Sequence, residues 1–223
     1  MAPPTEENAI SFELERQDDL CTQKKLFAFL STIPRDLNVC LDIETTGLEI
    51  GKDEILQISL IDGNGTTLLN EYVNPRRLTE WPDAEKIHGI SPEMVHDCKT
   101  MDLLAPRISE ILMKAELIIG YNCEAFDIPF LKAQGVYFPF HASICDMMHQ
   151  FAIFYGEWLS CKQEYRWKSL SFCSSSFGYR PGDEDAAHNS LSDAKATLFC
   201  FHELIKASAE RGQPERKEVD SHG

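Results

Sequence analysis

Two carboxylates at the end of an apolar run are the residues of this sequence best placed to do chemistry. The run at residues 37–41 leads directly into Asp42 and Glu44. In an extended strand alternate side chains share a face, so these two acids would lie roughly 7 Å apart. At an effective dielectric constant of about 20, two negative charges at that separation repel by about 2 kcal/mol before any desolvation cost is added. A divalent cation would reverse this repulsion, whereas a simple turn at residues 45–47 with both acids in water needs no ligand.

A third carboxylate follows another short apolar run, at residues 117–121. This run predicts a buried strand. Asp127 lies just beyond its carboxyl end, on the edge where open α/β sheets bind ligands. Pro129 leaves two other interpretations open. Asp127 could cap a helix that starts beside it, or the helix could begin near Asn122 and be kinked by Pro129.

A histidine and an aspartate further along form the pattern His-x-x-x-x-Asp, at His188 and Asp193. On an ideal helix five residues turn through about 500°, which leaves the two side chains about 140° apart. They can converge only if His188 lies in a loop and Asp193 lies in the first turn of the next helix. Residues 190–193 fit a capping box, which favours that arrangement. A cap alone would also explain Asp193, and His188 alone is typical of a surface loop histidine.

The combination of these residues indicates a particular chemistry. Four carboxylates and one histidine occur at the ends of three separate elements. Magnesium prefers oxygen ligands, and two such ions about 3.5–4 Å apart can clamp the attacking and leaving oxygens of a phosphodiester displacement. A histidine that is neutral near pH 7 could accept the proton of the attacking water.

The ordered motifs at residues 42–48, 121–127 and 188–193 resemble those of the DnaQ-like 3′–5′ exonucleases. The last motif matches the DEDDh subgroup, which includes the proofreading epsilon-type domain of bacterial replicative DNA polymerase. Residues 87–91, Ile-His-Gly-Ile-Ser, are similar as well, and the resemblance covers roughly residues 37–206.

The resemblance implies a ribonuclease H-like fold with a two-metal-ion site for Mg²⁺ or Mn²⁺. The implied metal ligands are Asp42, Glu44, Asp127 and Asp193, and His188 is the implied general base. The backbone of residues 45–48 and the Leu48 side chain would hold the 3′-terminal nucleotide. The predicted substrate contacts are Thr45, Thr46, Gly47, Leu48, His88, Asn122 and Phe126. The i, i+4 spacing of Phe126 and Phe130 is also typical of core residues.

The predicted function is metal-dependent 3′–5′ exonuclease activity that releases nucleoside 5′-monophosphates from nucleic acid, with DNA favoured. One alternative is an exoribonuclease that trims RNA 3′ ends. Another is a catalytically silent module that binds nucleic acid or a polymerase. Because 223 residues leave no room for a polymerase domain, proofreading would require a polymerase partner.

The remaining sequence predicts a single α/β domain. Strand patterns at 55–62 and 66–73 flank the hairpin signal Gly-Asn-Gly at 63–65, and helix and strand patterns then alternate. We expect a mixed five-stranded sheet flanked by helices. The expected divisions are an N-terminal helical extension at 1–35, an exonuclease domain at 36–209 and a polar mobile tail at 210–223.

Charge, cysteine pattern and the N-terminal sequence indicate the broad class of protein. The formal net charge of −15 argues against broad nonspecific duplex binding, which requires many neutralised phosphates. The eight cysteines form no C-x-x-C pair, and the N-terminus lacks the apolar segment of a signal peptide. These features predict a cytoplasmic protein without a membrane span.

One further stretch interleaves basic and aromatic residues, at 158–180. This pattern is found in grooves that bind single-stranded nucleic acid. Two amphipathic helices with core aromatics and solvated basic faces are the commoner explanation.

Overall fold

A computed structural model describes residues 6–180, 182 and 189–210, with side-chain burial from residue 16 onward. His188 and the predicted tail beyond residue 210 lie outside the described residues. Among the helices that are described, none combines the length and the apolarity needed to cross a bilayer.

A five-stranded sheet forms the centre of the molecule, in the order β3-β2-β1-β4-β5. The strands are β1 (Asn38–Thr45), β2 (Ile55–Asp62), β3 (Thr67–Tyr72), β4 (Leu117–Gly120) and β5 (Ser143–Asp146). β1 pairs antiparallel with β2 and parallel with β4, and β4 pairs parallel with β5. The predicted mixed five-stranded sheet is therefore confirmed.

Helices cover both faces of this sheet. They are α1 (Glu6–Leu30), α2 (Pro82–His88), α3 (Pro92–Val95), α4 (Met101–Leu112), α5 (Asp127–Ala133), α6 (Met147–Tyr155), α7 (Leu170–Ser176) and α8 (Ser190–Glu210). A 3₁₀ turn at Arg35–Leu37 leads into β1. α5 begins at Asp127, so Pro129 falls in its first turn rather than in its interior.

The alternation of side chains along β1 divides the core into two layers. The odd-numbered apolar residues of β1 pack with α4 and α5, whereas Cys40 packs with α1, α6, α7 and α8. Asp42 and Glu44 continue the even-numbered series. The two carboxylates therefore project from the sheet face that α8 covers.

The segment at 158–180 does not form two amphipathic helices. Its first part is a two-stranded ribbon, β6 (Trp158–Leu159) paired with β7 (Glu164–Tyr165), and α7 follows. Gln163 has φ 57°, a left-handed conformation that turns the chain. The Arg166 amide donates to the Glu157 carbonyl at 2.7 Å and closes the ribbon. The helical interpretation failed because periodicity does not register this cross-strand closure.

The N-terminal helix α1 packs on the α8 side of the domain. Phe27 and Leu30 are each 1% exposed and lie in the same apolar cluster as Phe201 of α8. The buried Gln23 side chain donates from Nε2 to the Gln150 carbonyl of α6 at 2.7 Å. α1 is therefore docked on the domain through both apolar and polar contacts.

Replacing Phe27 tests whether α1 is energetically part of the domain. Phe27→Ala should lower the free energy of unfolding by about 3–5 kcal/mol, because it leaves a cavity in a closed core. Phe29→Ala is the matched control, since Phe29 is 57% exposed on the same helix and its loss should cost less than about 0.5 kcal/mol. Chemical denaturation measures both free energies. A loss in Phe27→Ala as small as that in Phe29→Ala would show that α1 contributes no core packing.

Candidate functional site

The end of β1 is where the predicted site residues meet, because β1 extends past its parallel neighbour. The pairing of β1 with β4 ends at Cys40, opposite Ile119. Three residues further on, the Ile43 amide donates to Oδ1 of Asp127 at 3.1 Å. A buried amide without a strand partner must find another acceptor. Asp127, itself 3% exposed, supplies that acceptor and is drawn against β1.

Three half-buried carboxylates form a tight group beside this point. Asp42, Glu44 and Asp193 each place one oxygen within 4.8 Å of the others. Asp127 is not a member of this closest trio, but its charge raises the pKa of Asp42. The four acids therefore share one electrostatic environment. All the donors of the trio are carboxylate oxygens, which suits a hard divalent cation.

Two polar residues on β2 hold the first turn of α8 next to β1. Ser59 is the register partner of Asp42, and Gln57 is the register partner of Glu44. The Ser59 and Ser190 hydroxyl oxygens lie 2.7 Å apart, and the Ser190 amide donates to Oε1 of Gln57 at 3.3 Å. The N-terminus of α8 is therefore fixed opposite the two carboxylates of β1.

A residue on β3 closes these contacts into a ring. Oδ1 of Asn70 accepts from the Ser59 hydroxyl at 3.0 Å and from Nε2 of Gln57 at 3.1 Å. Ser59, Ser190 and Gln57 are at most 1% exposed, and each finds a hydrogen-bond partner in the ring. A satisfied buried network fixes one geometry. Here that geometry sets the position of Asp193, three residues after Ser190.

The predicted capping box at Ser190 is wrong in detail. The Leu191 amide donates to Oδ1 of Asn189 at 3.1 Å, so Asn189 caps the helix. Ser190 is committed to Ser59 instead, a tertiary partner that local spacing does not reveal. Asp193 does lie in the first turn of α8, as the arrangement required.

Burial raises the pKa values of Asp42, Glu44 and Asp127, and neighbouring carboxylates add to each rise. The pKa of Glu44 rises to about 8, first through burial and then through the charges of Asp193 and Asp127. Burial raises the pKa of Asp127 to about 7, although hydrogen bonds from its own amide and from Ile43 oppose the rise. The pKa of Asp42 is raised well above its usual value, again first by burial. Ionisation of all these acids together is therefore unfavourable unless a positive charge compensates it.

The loop after β1 is organised by the Asp53 carboxylate. Its Oδ1 accepts from the Thr46 hydroxyl at 3.2 Å, and its Oδ2 accepts from the Glu49 amide at 2.8 Å. A Cβ atom on Gly47 would lie 2.6 Å from that carboxylate, so a larger residue there would displace the Asp53 side chain. Leu48 is left 81% exposed. The loop therefore presents an apolar side chain to solvent from a fixed backbone.

His88 supports the same loop from α2. Its Nδ1 accepts from the Ile90 amide at 3.0 Å, so the neutral ring carries its proton on Nε2. That nitrogen lies 3.2 Å from the Thr45 carbonyl and donates to it. The hydrogen bond from His88 to the Thr45 carbonyl therefore helps to position residues 45–48.

Asn122 and Phe126 lie in the segment that joins β4 to α5. Asn122 has φ 63°, and its amide donates to Oδ1 of Asp146 at 2.9 Å. Oδ2 of Asp146 accepts from the Glu124 amide at 3.1 Å. The Phe126 ring lies 4.8 Å from that of Phe130 and packs against the core. Asp146 thus shapes the segment that delivers Asp127.

Sequence reasoning missed the residues that position the carboxylates. Gln57 and Ser59 are alternate polar residues within the apolar run of β2, and that alternation was a usable signal for a buried polar network. Asp146 is the last residue of a short strand and directly precedes a helix, a pattern similar to the one that identified Asp127. Ser190 carried no such signal, because its partner is 131 residues away.

Both the sequence and the fold of this chain match those of known proteins. The model of the exonuclease family RNase_T matches residues 39–201. Exonuclease I from E. coli, in complex with a dT13 oligonucleotide, superposes with a TM-score of 0.63 at 20% identity, over 78% of this chain and 42% of that one. This likeness confirms the predicted ribonuclease H-like fold.

Sequence relatives match a shorter region. DNA polymerase III subunit epsilon from Pasteurella multocida is 32% identical over 106 residues, covering 42% of this chain and 39% of the relative. PolC-type DNA polymerase III from Thermotoga maritima is 32% identical over 97 residues, covering 42% of this chain and 7% of the relative. The matches therefore span less than half the length of these curated relatives.

The raised pKa values predict how the stability of the metal-free protein depends on pH. A group with a raised pKa binds its proton more tightly in the folded state, so its contribution is present below its unfolded pKa and is lost as pH rises through its folded pKa. The free energy of unfolding in EDTA should fall between about pH 4.5 and about pH 8. Urea denaturation across this range measures it. Glu44→Gln should flatten the fall, and saturating Mg²⁺ should offset it; an equal slope in all three samples would contradict the assignment.

Removing the Ser59 hydroxyl tests the buried ring. Ser59→Ala leaves Ser190 without its partner and should lower the free energy of unfolding by about 1–3 kcal/mol. It should also reduce the rise in melting temperature that Mg²⁺ or Mn²⁺ produces, because Asp193 loses its support. Ser171→Ala is a control, since Ser171 is an exposed serine of α7. A lower stability with an unchanged metal response would mean that the ring does not position Asp193.

Proposed function

The chain belongs to the exonuclease family RNase_T, and on that basis we propose that it is a metal-dependent 3′–5′ exonuclease that releases nucleoside 5′-monophosphates from DNA. We assign it to the DEDDh subgroup through His188 and Asp193. The observation that carries the proposal is the carboxylate trio at the end of β1, with oxygens within 4.8 Å of one another.

The donor set fits divalent cations of the hard class. The trio offers only oxygen ligands. Burial and then the neighbouring carboxylates raise the pKa values of Asp42 and Glu44, and a bound cation would favour their ionised forms. When bound, two Mg²⁺ or Mn²⁺ ions would offset charge on the phosphodiester and lower the pKa of an attacking water. Asp42, Glu44 and Asp193 would hold them, with Asp127 completing the set.

The chain's own residues supply the remaining functions. His188 would accept the proton of the attacking water, as a histidine with a pKa near neutrality can. The anchored first turn of α8 supports this role, because His188 comes two residues before Ser190, which is tied to Ser59. The contact between His88 and the Thr45 carbonyl would hold the loop that receives the terminal nucleotide. The exposed Leu48 side chain would then pack against the terminal base or sugar.

Similarity to DNA polymerase III epsilon subunits supports DNA as the substrate, and it also supports a polymerase partner. Exonuclease I, which has the same fold, is in complex with a dT13 oligonucleotide, and this supports a single-stranded oligonucleotide as the substrate. All eight cysteines of the chain are free thiols, which supports a reducing compartment such as the cytoplasm.

One assay tests the activity and its direction. Matched DNA and RNA strands carry a label at the 3′ or the 5′ end and are incubated with Mg²⁺ or Mn²⁺. We expect the 3′ label to leave first, as a mononucleotide, with DNA degraded faster than RNA. Asp42→Asn should abolish release, and His188→Ala should slow it by about 10²–10⁴-fold. Asp97→Asn is the control, because that side chain is 97% exposed.

The alternatives give different results in the same assay. Faster degradation of RNA would favour a trimming exoribonuclease. Retained strand binding without metal-stimulated hydrolysis would favour a silent binding module. Early loss of the 5′ label, or full activity of Asp42→Asn, would overturn the assignment.

A further inference from the structure

Trp167 is a large aromatic side chain that the carboxylate site does not use. It is 55% exposed, although a tryptophan buries more apolar area than almost any other side chain. Its ring centroid lies 5.8 Å from that of His149, at an interplanar angle of 52°. An exposed indole beside a second flat ring is a surface onto which another ring could stack.

This surface lies on the same edge of the sheet as the carboxylates. His149 is in the first turn of α6, which follows the carboxyl end of β5. Tyr121 follows the carboxyl end of β4, and its hydroxyl donates to the Lys168 carbonyl at 2.8 Å. β5 is two strands away from β1, which corresponds to about 10 Å. Trp167 is therefore within reach of a strand whose end lies at Asp42.

The backbone around Trp167 is held from both sides. The preceding Arg166 amide donates to the Glu157 carbonyl at 2.7 Å, and the following Lys168 carbonyl accepts from Tyr121. The Glu157 carboxylate also pairs with the side chains of Arg166, at 2.7 Å, and of Lys168. An exposed ring on a fixed backbone loses little conformational freedom on binding.

The N-terminal helix fixes the ribbon that carries this segment. The Tyr165 hydroxyl donates to Oδ2 of Asp19, on α1, at 2.8 Å. Across the ribbon, the Trp158 and Tyr165 rings meet edge to face with centroids 5.1 Å apart. The ribbon is thus linked to α1, and the segment that follows it is linked to the sheet edge through Lys168.

We propose that Trp167, backed by His149, is a base-stacking platform for single-stranded nucleic acid a few nucleotides upstream of the 3′ end bound at the carboxylates. The proposal rests on the proposed function, because it assumes that a nucleic acid strand ends at Asp42. It assigns to the ribbon and to α1 the task of positioning this platform.

Single-stranded bases fit this surface better than a duplex does. In a duplex the base faces are already stacked on one another, whereas a single strand exposes them to aromatic side chains. The two basic residues that flank Trp167 share Glu157, so the local charge available to phosphates is reduced. Ring stacking is therefore the main interaction that this surface offers.

Two measurements on Trp167→Ala test the platform. Binding of a fluorescent oligo-dT of eight nucleotides is measured with Mg²⁺ in a His188→Ala background, which slows cleavage. Hydrolysis of the p-nitrophenyl ester of thymidine 5′-monophosphate is measured with Mn²⁺ in the otherwise unchanged protein. The ester occupies only the terminal site, so it reports on the carboxylates without the platform.

We expect Trp167→Ala to bind the oligonucleotide about 5- to 100-fold more weakly, since stacking on an aromatic ring has that value per base. Ester hydrolysis should remain unchanged, and Trp167→Phe should recover most of the binding. Phe140→Ala is the control: Phe140 is 108% exposed but precedes the amino end of β5, on the opposite edge of the sheet. It should change neither measurement.

Each remaining result would overturn the platform or separate it from the proposed function. Equal oligonucleotide binding by Trp167→Ala and its parent, an equal loss in Phe140→Ala, or no measurable binding by the parent would overturn it. A loss of ester hydrolysis in Trp167→Ala would assign Trp167 to the fold of the catalytic edge instead. If the unaltered protein hydrolyses neither ester nor oligonucleotide, the proposed function fails, and the binding comparison still decides the platform.

Discussion

Repulsion among carboxylates held at the end of one strand is the constraint on which the rest of this structure depends. Asp42 and Glu44 come from β1 itself, and Asp193 and Asp127 come from helices on its two faces. Beyond the effect of burial, Asp127, Asp193 and Glu44 raise the cost of ionising Asp42, and Asp193 and Asp127 raise the cost of ionising Glu44. Such a group persists only where the surrounding fold holds it in place, since the acids would otherwise move apart into water.

The holding forces are backbone and neutral polar contacts rather than charges. The Ile43 amide fixes Asp127, and the ring through Ser59 and Ser190 fixes the start of α8. The contact between Ser59 and Ser190 involves no ionisable group, so it holds the start of α8 whatever the charge on the acids. The bond from the Ile43 amide favours the ionised form of Asp127, which is the form that binds a cation, and this is the preorganisation that a metal site requires.

The sequence predicted the parts of this arrangement that depend on local pattern. The bounds of β2, the start of α8 and the projection of Asp42 and Glu44 to one face all follow from the alternation of residue types and from turn signals. The Ser59–Ser190 pair could not be predicted, because it joins residues 131 positions apart and nothing in their spacing records the contact. The ribbon at β6 and β7 was missed for a similar reason, since its strands have only two residues each.

The early end of β4 has a consequence beyond the placement of Asp127. Gly120 is the last residue of β4, and a Cβ there would lie 2.4 Å from the Cβ of Cys123, because the chain folds back at once. β1 and β4 therefore stop pairing at this point, and the gap between them is the notch in which the acids meet. Anything that lengthened β4 by a residue or two would satisfy Ile43 with ordinary strand pairing and close that notch. The carboxylate site of this protein therefore depends on the early end of β4.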